Sequence, residues 1–330
     1  MTDHQPPDHL PAGRKPVILN HLGPRVGKRL AAHWSQPTVI ERDPSAAPWI
    51  IPDGVDMLVT RPLEVGWDKA PAEAPPGWPH GLKWIQTASA GVDNYPSWVL
   101  GGPPVTCGRG VAAVPIAEFT LAAMLALVKR IEDIRVRSPM DWQTRHHLSG
   151  LHGQTIGLVG YGAIGREIAV RASAFGMKVG VVRRTPWTKP EQGIGTFSSI
   201  GDLAAVSDHL VLALPLTPET RHIANAAVFE RAKPGLHLIN IARGGLVNQE
   251  ALLRALDKGQ VGWATLDVTE PEPLPKRHPF YDHPCVWLSP HVSWSDTGSE
   301  ERLTVKILGN LDAYVRGLPL TDVVDVAAGY

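Results

Sequence analysis

Residues 155–165 read TIGLVGYGAIG, a short apolar run that passes straight into Gly160-Tyr161-Gly162-Ala163-Ile164-Gly165. A helical pattern over 163–175 follows at once. A G-x-G-x-x-G motif alone is weak, but between a strand and a helix it permits few folds. The three glycines do different things. Gly160 allows the tight turn, Gly162 lets a pyrophosphate approach the backbone, and Gly165 lets the helix pack on the strand. Ala163 and Ile164 open the helix, whose free N–H groups and positive dipole end favour phosphate. The plainer reading, a glycine turn in any α/β domain, is weaker because the next strand, 178–182, arrives at the spacing of a βαβ nucleotide unit.

That second strand, KVGVV, ends in Arg183, Arg184 and Thr185. About 20 residues past the motif, an Asp or Glu would bond the adenosine ribose of NAD. Here two guanidinium groups stand instead, with no acid near in the chain. Guanidinium groups grip phosphate through paired hydrogen bonds. The strand tip therefore predicts NADP(H) as the preferred cofactor, with NAD(H) also usable. A pair of solvated surface arginines is the alternative.

Short β-branched runs alternate with helical patterns through most of the chain. Strands are predicted at 17–19, 55–60, 82–87, 155–160, 178–182, 209–214, 237–241, 263–268 and 286–289, and helices at 112–130, 163–175, 249–258 and 299–316. This alternation implies an α/β protein with parallel sheets covered by helices on both faces. The 330 residues suffice for two domains. Helix 112–130 is apolar on nearly every side, which predicts burial between domains or subunits. Residues 63–79, rich in Pro, Gly and Trp, predict an irregular loop.

The 32 basic and 32 acidic side chains cancel, so no broad attraction to nucleic acid or an anionic membrane is expected. Two cysteines, Cys107 and Cys285, suit a reducing compartment. The first 15 residues are polar and Pro-rich, which predicts a disordered tail rather than a signal peptide. The most apolar segment, 116–128, is too short to span a bilayer and carries Glu118. A cytoplasmic protein is expected.

Three further strand ends carry chemistry. The segment 233–248, KPGLHLINIARGGLVN, ends a buried strand in Ala242 and Arg243. An arginine there can hold a carboxylate bidentately and polarise a neighbouring carbonyl; its plainer role is to tie down a loop. Residues 267–274 read DVTEPEPL, and 287–291 read WLSPH. His291 is one of 14 histidines and matters only in combination. His146, His147 and His152 lack partners at ligand spacing, so no metal site is expected. Neither a G-x-S-x-G nucleophile elbow nor a Walker lysine occurs.

From about residue 82 to 291 the chain resembles the D-isomer-specific 2-hydroxyacid dehydrogenases. LKWIQTASAGVDN resembles the family's substrate loop, VGYGAIG its nucleotide loop and KPGLHLINIARGGLVN its arginine segment. DVTEPEPLP and SPH match the segments that carry its glutamate and histidine. The wording WIQTASAGVD and the two arginines look closest to the glyoxylate/hydroxypyruvate reductase branch. The resemblance implies that Arg243 binds the carboxylate and carbonyl of a small 2-oxo acid. It implies that His291 is the general acid in reduction, paired with Glu272; Glu270 competes for that place on spacing alone. Ala90 and Gly91 would hold the carboxylate through backbone N–H groups, and Trp142 would reach a neighbouring subunit's substrate pocket. Leu214, Pro215 and Asp267 would line the nicotinamide and ribose.

The same resemblance implies two Rossmann-like domains. A discontinuous, flavodoxin-like substrate domain would comprise residues 1–106 and 293–330, and a dinucleotide-binding cofactor domain residues 107–292. A homodimer is implied as well. Trp294 stands where relatives often have Gly or Ala nearby, so the size of the substrate is open. Glu272 in place of glutamine argues against formate oxidation, phosphite oxidation has nothing to select it, and the end of the chain at Tyr330 argues against the longer phosphoglycerate dehydrogenases. A nucleotide-sensing co-repressor is the alternative from another class, although the even charge offers no partner surface.

Overall fold

The structure, a computed structural model, describes residues 14–62, 65–185, 187, 189 and 191–326. Residues 1–13 of the expected tail, and Leu63 and Glu64 of the expected loop, lie outside the described residues. The chain forms two compact units. Unit 1 takes the chain up to Val111 and again from Asp296; unit 2 is Ala112–Ser295. The crossings thus fall a few residues beyond the 106/107 and 292/293 boundaries expected from sequence.

Unit 1 contains β1 (Val17–Asn20), α1 (Pro24–Ala31), β2 (Thr38–Glu41), β3 (Met57–Thr60), β4 (Trp84–Thr87), α2 (Ser97–Leu100) and β5 (Val105–Thr106). Its five parallel strands run in the order β2-β1-β3-β4-β5, the flavodoxin-like arrangement. Alternate side chains serve opposite faces. Ile18, Met57, Val59 and Trp84 pack with α1 and with the C-terminal helix Ser299–Val315, through Leu303, Ile307, Leu311 and Tyr314. Leu19, Leu58 and Ile85 pack on the other side against Trp67, Val92, Tyr95 and Val99.

The returning end of the chain is stitched in by a buried polar network. Asn310 Nδ2 donates to Gln86 Oε1 at 3.2 Å and to the Thr321 carbonyl at 3.1 Å. Thr106 Oγ1 donates to the same Gln86 oxygen at 2.7 Å and accepts from Trp84 Nε1 at 2.7 Å. At the other end Arg14 pairs with the buried Asp56 at 2.8 Å, and Lys15 donates to Gln36 at 2.7 Å, where the sequence had suggested the last residues of a disordered tail.

Unit 2 contains α3 (Ala113–Lys129), β6 (Thr155–Val159), α4 (Ala163–Ala174), β7 (Lys178–Val182), β8 (Ile194–Thr196), α5 (Ile200–Ala204), β9 (His209–Leu212), α6 (Ala226–Arg231), β10 (Leu236–Asn240), α7 (Gln249–Asp257), β11 (Val261–Leu266) and β12 (Val286–Leu288). Seven parallel strands run in the order β12-β11-β10-β9-β6-β7-β8. From β6 the chain goes outward through β7 and β8, then returns to the other side through β9. That reversal between β6 and β9 is where such sheets open a crevice at their carboxyl ends.

Ile156, Leu158, Val179, Val181, Val211 and Ile239 pack under α3 and α4. Leu210, Leu212, Leu238, Ala264 and Leu266 pack under α5, α6 and α7. Ser199, Asn225 and Asn248 cap those last three helices by accepting a backbone N–H. Among the described residues no helix is long and apolar enough to cross a membrane.

Candidate active site

The glycine motif occupies the β6–α4 turn, at the switch point. Gly160 has φ +99°, and a Cβ there would lie 2.3 Å from the Ala213 carbonyl oxygen. A Cβ at Gly165 would lie 2.5 Å from the Gly160 oxygen, so only glycine lets the first turn of α4 close on the loop. Gly162 differs: a Cβ there would meet nothing within 4 Å. Its role is to keep space empty above the backbone. Gly162 is also the N-cap of α4 and supplies no side-chain cap to the first N–H groups, including those beside Ala163 and Ile164. An open cradle over uncapped donors fits a dinucleotide's pyrophosphate. Leu214 and Pro215 follow β9 on the neighbouring strand end, and Leu214 Cβ flanks the Gly160 turn.

At the tip of β7, Arg183, Arg184 and Thr185 are all exposed, and the Arg183 guanidinium lies 5.6 Å from the centre of the Trp187 ring. The sequence offered no acid here. The fold supplies one from further along the chain: Glu191, in the loop that leads into β8. Its Oε2 accepts from the Tyr161 hydroxyl at 2.8 Å and its Oε1 pairs with Arg166 at 2.5 Å. The Tyr161 hydrogen bond, helped by the charges of Arg166 and Arg183, holds the Glu191 carboxyl below its ordinary range. Burial and the neighbouring carboxylate push the Tyr161 phenol up to about 12, so it stays a donor. Sequence reading missed this acid because nothing in its spacing marks it.

The carboxyl ends of β10, β11 and β12, adjacent in the sheet, deliver Arg243, Glu272 and His291 to one edge. Asn240 ends β10 and clamps the next turn. Its Nδ2 donates to the Arg243 carbonyl at 2.8 Å and its Oδ1 accepts from Ala242 N at 3.2 Å. A Cβ at Gly244 would lie 2.0 Å from the Thr269 carbonyl carbon, so glycine lets the arginine loop pass the β11 loop. Arg243 is partly exposed and donates to the Ala242 carbonyl at 2.7 Å.

His291 Nδ1 lies 2.8 Å from Glu272 Oε1. His291 has φ +54°, a strained value for a residue with a side chain. The turn is held by Asp267, which is 1% exposed. Its carboxylate accepts from Ser289 Oγ at 2.6 Å, Val292 N at 2.9 Å and Ser293 N at 3.0 Å, and its carbonyl accepts from His291 N at 2.9 Å. Asp267, expected to line the nicotinamide and ribose, thus has its carboxylate engaged under the His291 turn. Glu270 is placed elsewhere, in a two-pronged pair with Arg221 at 2.7 and 2.9 Å.

Residues 121–293 match the family described as D-isomer specific 2-hydroxyacid dehydrogenase, NAD binding domain. The chain belongs to that family. It is 34% identical over 263 residues to glyoxylate/hydroxypyruvate reductase A of Serratia proteamaculans, covering 76% of this chain and 82% of that protein. It is also 34% identical to D-3-phosphoglycerate dehydrogenase of Bacillus subtilis, covering 75% of this chain; the match spans about half, 48%, of that longer relative. Among solved structures, the NADPH-dependent glyoxylate/hydroxypyruvate reductase of Sinorhizobium meliloti, in complex with NADP and sulfate, superposes with a TM-score of 0.75 at 27% identity. That superposition covers 96% of this chain and 100% of the other.

For a dehydrogenase of this family the remaining expected residues stand as follows. Ala90 and Gly91 lie in unit 1, in the turn after β4, where Ser89 Oγ donates to the Gly91 carbonyl at 2.6 Å. A Cβ at Gly108 would lie 2.0 Å from the Ala88 oxygen, so the turn is packed tightly from behind. Among the described residues neither the Ala90 nor the Gly91 N–H is spent on a backbone acceptor. Trp142 is 79% exposed on the short 3-10 helix Pro139–Gln143. Trp294 turns its Nε1 to the His291 carbonyl at 2.8 Å, tying its ring to the histidine turn.

Proposed function

We propose that the protein reduces small 2-oxo acids, glyoxylate or hydroxypyruvate among them, to 2-hydroxy acids with NADPH in preference to NADH. The observation that carries this reading is the Glu272–His291 pair, 2.8 Å apart, on the carboxyl edge of the sheet that also holds the glycine cradle. Bound NADPH supplies the hydride. His291 donates the proton that the carbonyl oxygen requires, through the Nε2 left free of Glu272. Glu272 holds the ring in one tautomer and orientation, and Asp267 holds the turn beneath it. Arg243 binds the substrate carboxylate and stabilises charge that develops on the carbonyl oxygen. The N–H groups of Ala90 and Gly91, in unit 1, are proposed to bind a substrate carboxylate, as the family resemblance implies.

Arg183, Arg184 and Thr185 are the proposed site for a 2′-phosphate, with Leu214, Pro215 and Ala242 beside the rest of the nucleotide. The family resemblance also supports a homodimer, with Trp142 acting across it. Support within this chain is the run of exposed apolar side chains after α3: Ile131, Met140 and Trp142 are 50%, 67% and 79% exposed. Sedimentation of the purified protein at twice the chain mass is expected; a monomer would remove that part.

The test of the main reading compares NADPH and NADH oxidation at equal concentration, with glyoxylate and hydroxypyruvate as acceptors. Turnover favouring NADPH is expected, and Arg183→Asp should cut that preference roughly tenfold or more, the scale of a lost charge-assisted contact. Absence of turnover with every small 2-oxo acid would favour a nucleotide-sensing role instead.

A further inference from the structure

Four side chains lie in a row of ring contacts from the glycine motif to the β7 tip. The Arg166 guanidinium lies 4.9 Å over the Tyr161 ring, that ring is 5.2 Å from Trp187, and Arg183 lies 5.6 Å over Trp187. Glu191 is fastened to this row at two points, the Tyr161 hydroxyl and Arg166. It therefore puts a carboxylate within the cationic patch where the adenosine end of a dinucleotide lies in folds of this order.

We infer that Glu191 is a specificity-determining residue for the nucleotide, an internal anion that opposes a 2′-phosphate and tolerates a 2′-hydroxyl. This rests on the reading of unit 2 as a dinucleotide site. As its dianion a phosphate monoester has only acceptor oxygens, so beside a carboxylate it meets repulsion and no hydrogen bond. A ribose hydroxyl can donate to the same carboxylate. Arg183 favours the phosphate and Glu191 disfavours it. The balance of Glu191 against Arg183, with Arg184 and Thr185 on the phosphate's side, sets the NADPH/NADH ratio. Glu191 and Arg166 are 44% and 52% exposed at the side chain, so the effect must shrink as salt rises.

The experiment isolates the adenosine end, using 2′,5′-ADP and 5′-AMP as probes and isothermal titration calorimetry on the full chain. In Glu191→Gln, binding of 2′,5′-ADP should tighten about threefold to tenfold at low salt, the range expected for one like charge removed a few ångström away. Binding of 5′-AMP should change less than about twofold, because its 2′-hydroxyl carries no charge and the glutamine amide oxygen can still accept from it. Glu191→Asp keeps the charge and should leave the ratio of the two affinities near that of the wild type. A ratio unchanged in Glu191→Gln, or one that moves equally in Glu191→Asp, overturns the proposal and makes Glu191 a loop anchor. If the wild type binds neither probe, the dinucleotide reading itself falls, a result distinct from either of these.

Discussion

The seven-stranded sheet carries histidines at both of its edges, and they are built to opposite ends. His291, at the carboxyl edge, is 31% exposed at its side chain and faces Glu272. His209 and His237, at the amino edge, are registered neighbours on β9 and β10 and are both 2% exposed. Their Nδ1 atoms are 3.0 Å apart; His209 Nε2 meets Gln154 Oε1 at 2.8 Å and His237 Nε2 meets Thr265 Oγ1 at 2.9 Å.

The proton pattern of the buried pair follows from its ends. The Gln154 oxygen only accepts, so His209 donates from Nε2 and accepts at Nδ1. His237 then donates from Nδ1 and accepts the Thr265 hydroxyl at Nε2. Both rings are neutral and every nitrogen is used. Burial pushes His209 down to about 4 and His237 well below the ordinary histidine range. The same side chain thus welds two strands at one edge and stands part-exposed beside a carboxylate at the other. Solvent access and the choice of partner make the difference.

The largest way to break this contrast is His291→Ala. Turnover should fall roughly 10²- to 10⁴-fold, the usual worth of a positioned general acid. The NADPH dissociation constant, read by fluorescence quenching, should hold, since the glycine cradle is untouched. Retained turnover would remove His291 from the reaction.

Next in size is acid stability. The buried pair is neutral when folded and takes up protons when unfolded below the ordinary value of 6.5. Its contribution is therefore complete above pH 6.5 and lost as pH falls toward about 4, worth about 3 kcal/mol from His209 alone. The urea midpoint of the wild type should drop across that window. The double variant His209→Leu/His237→Leu, less stable at neutral pH, should drop less steeply. Parallel curves for the double variant and the wild type would show that the pair does not set the acid limit.

The division between what sequence revealed and what it hid follows the range of the interactions. The glycine motif, its strand and its helix were legible because their constraints are local: a positive φ, a close approach and a change of hydrophobic period within a dozen residues. Strand ends bearing Arg243 and His291 were legible for the same reason. Short or half-exposed elements were not: β2 and β8 are edge strands with exposed ends, and α5 and α6 are too short to show a period. Pairings across the fold were also hidden. Spacing left Glu270 and Glu272 as rivals for the histidine, gave no sign that His209 and His237 would meet, and could not bring Glu191 back to Tyr161.

That rivalry yields the smallest and sharpest pair of tests. Glu272→Gln keeps the shape beside His291 but removes the charge, and should lower kcat roughly ten- to hundredfold, the scale of a charge-assisted hydrogen bond. Cofactor binding should hold, so the loss falls on kcat rather than on the NADPH dissociation constant. Glu270→Gln removes an equal charge from the same loop, yet its partner is Arg221 and both side chains are over 40% exposed. A surface pair of this kind is screened by solvent and adds little to stability. Its kcat should stay within about twofold, because among the described residues no hydrogen bond or ion pair joins it to His291. The two variants sit two residues apart in one proline-bounded loop, so they control for loop damage in each other. If both lose activity equally, the loop as a whole supports the histidine; if only Glu270→Gln does, the assignment of the paired carboxylate reverses.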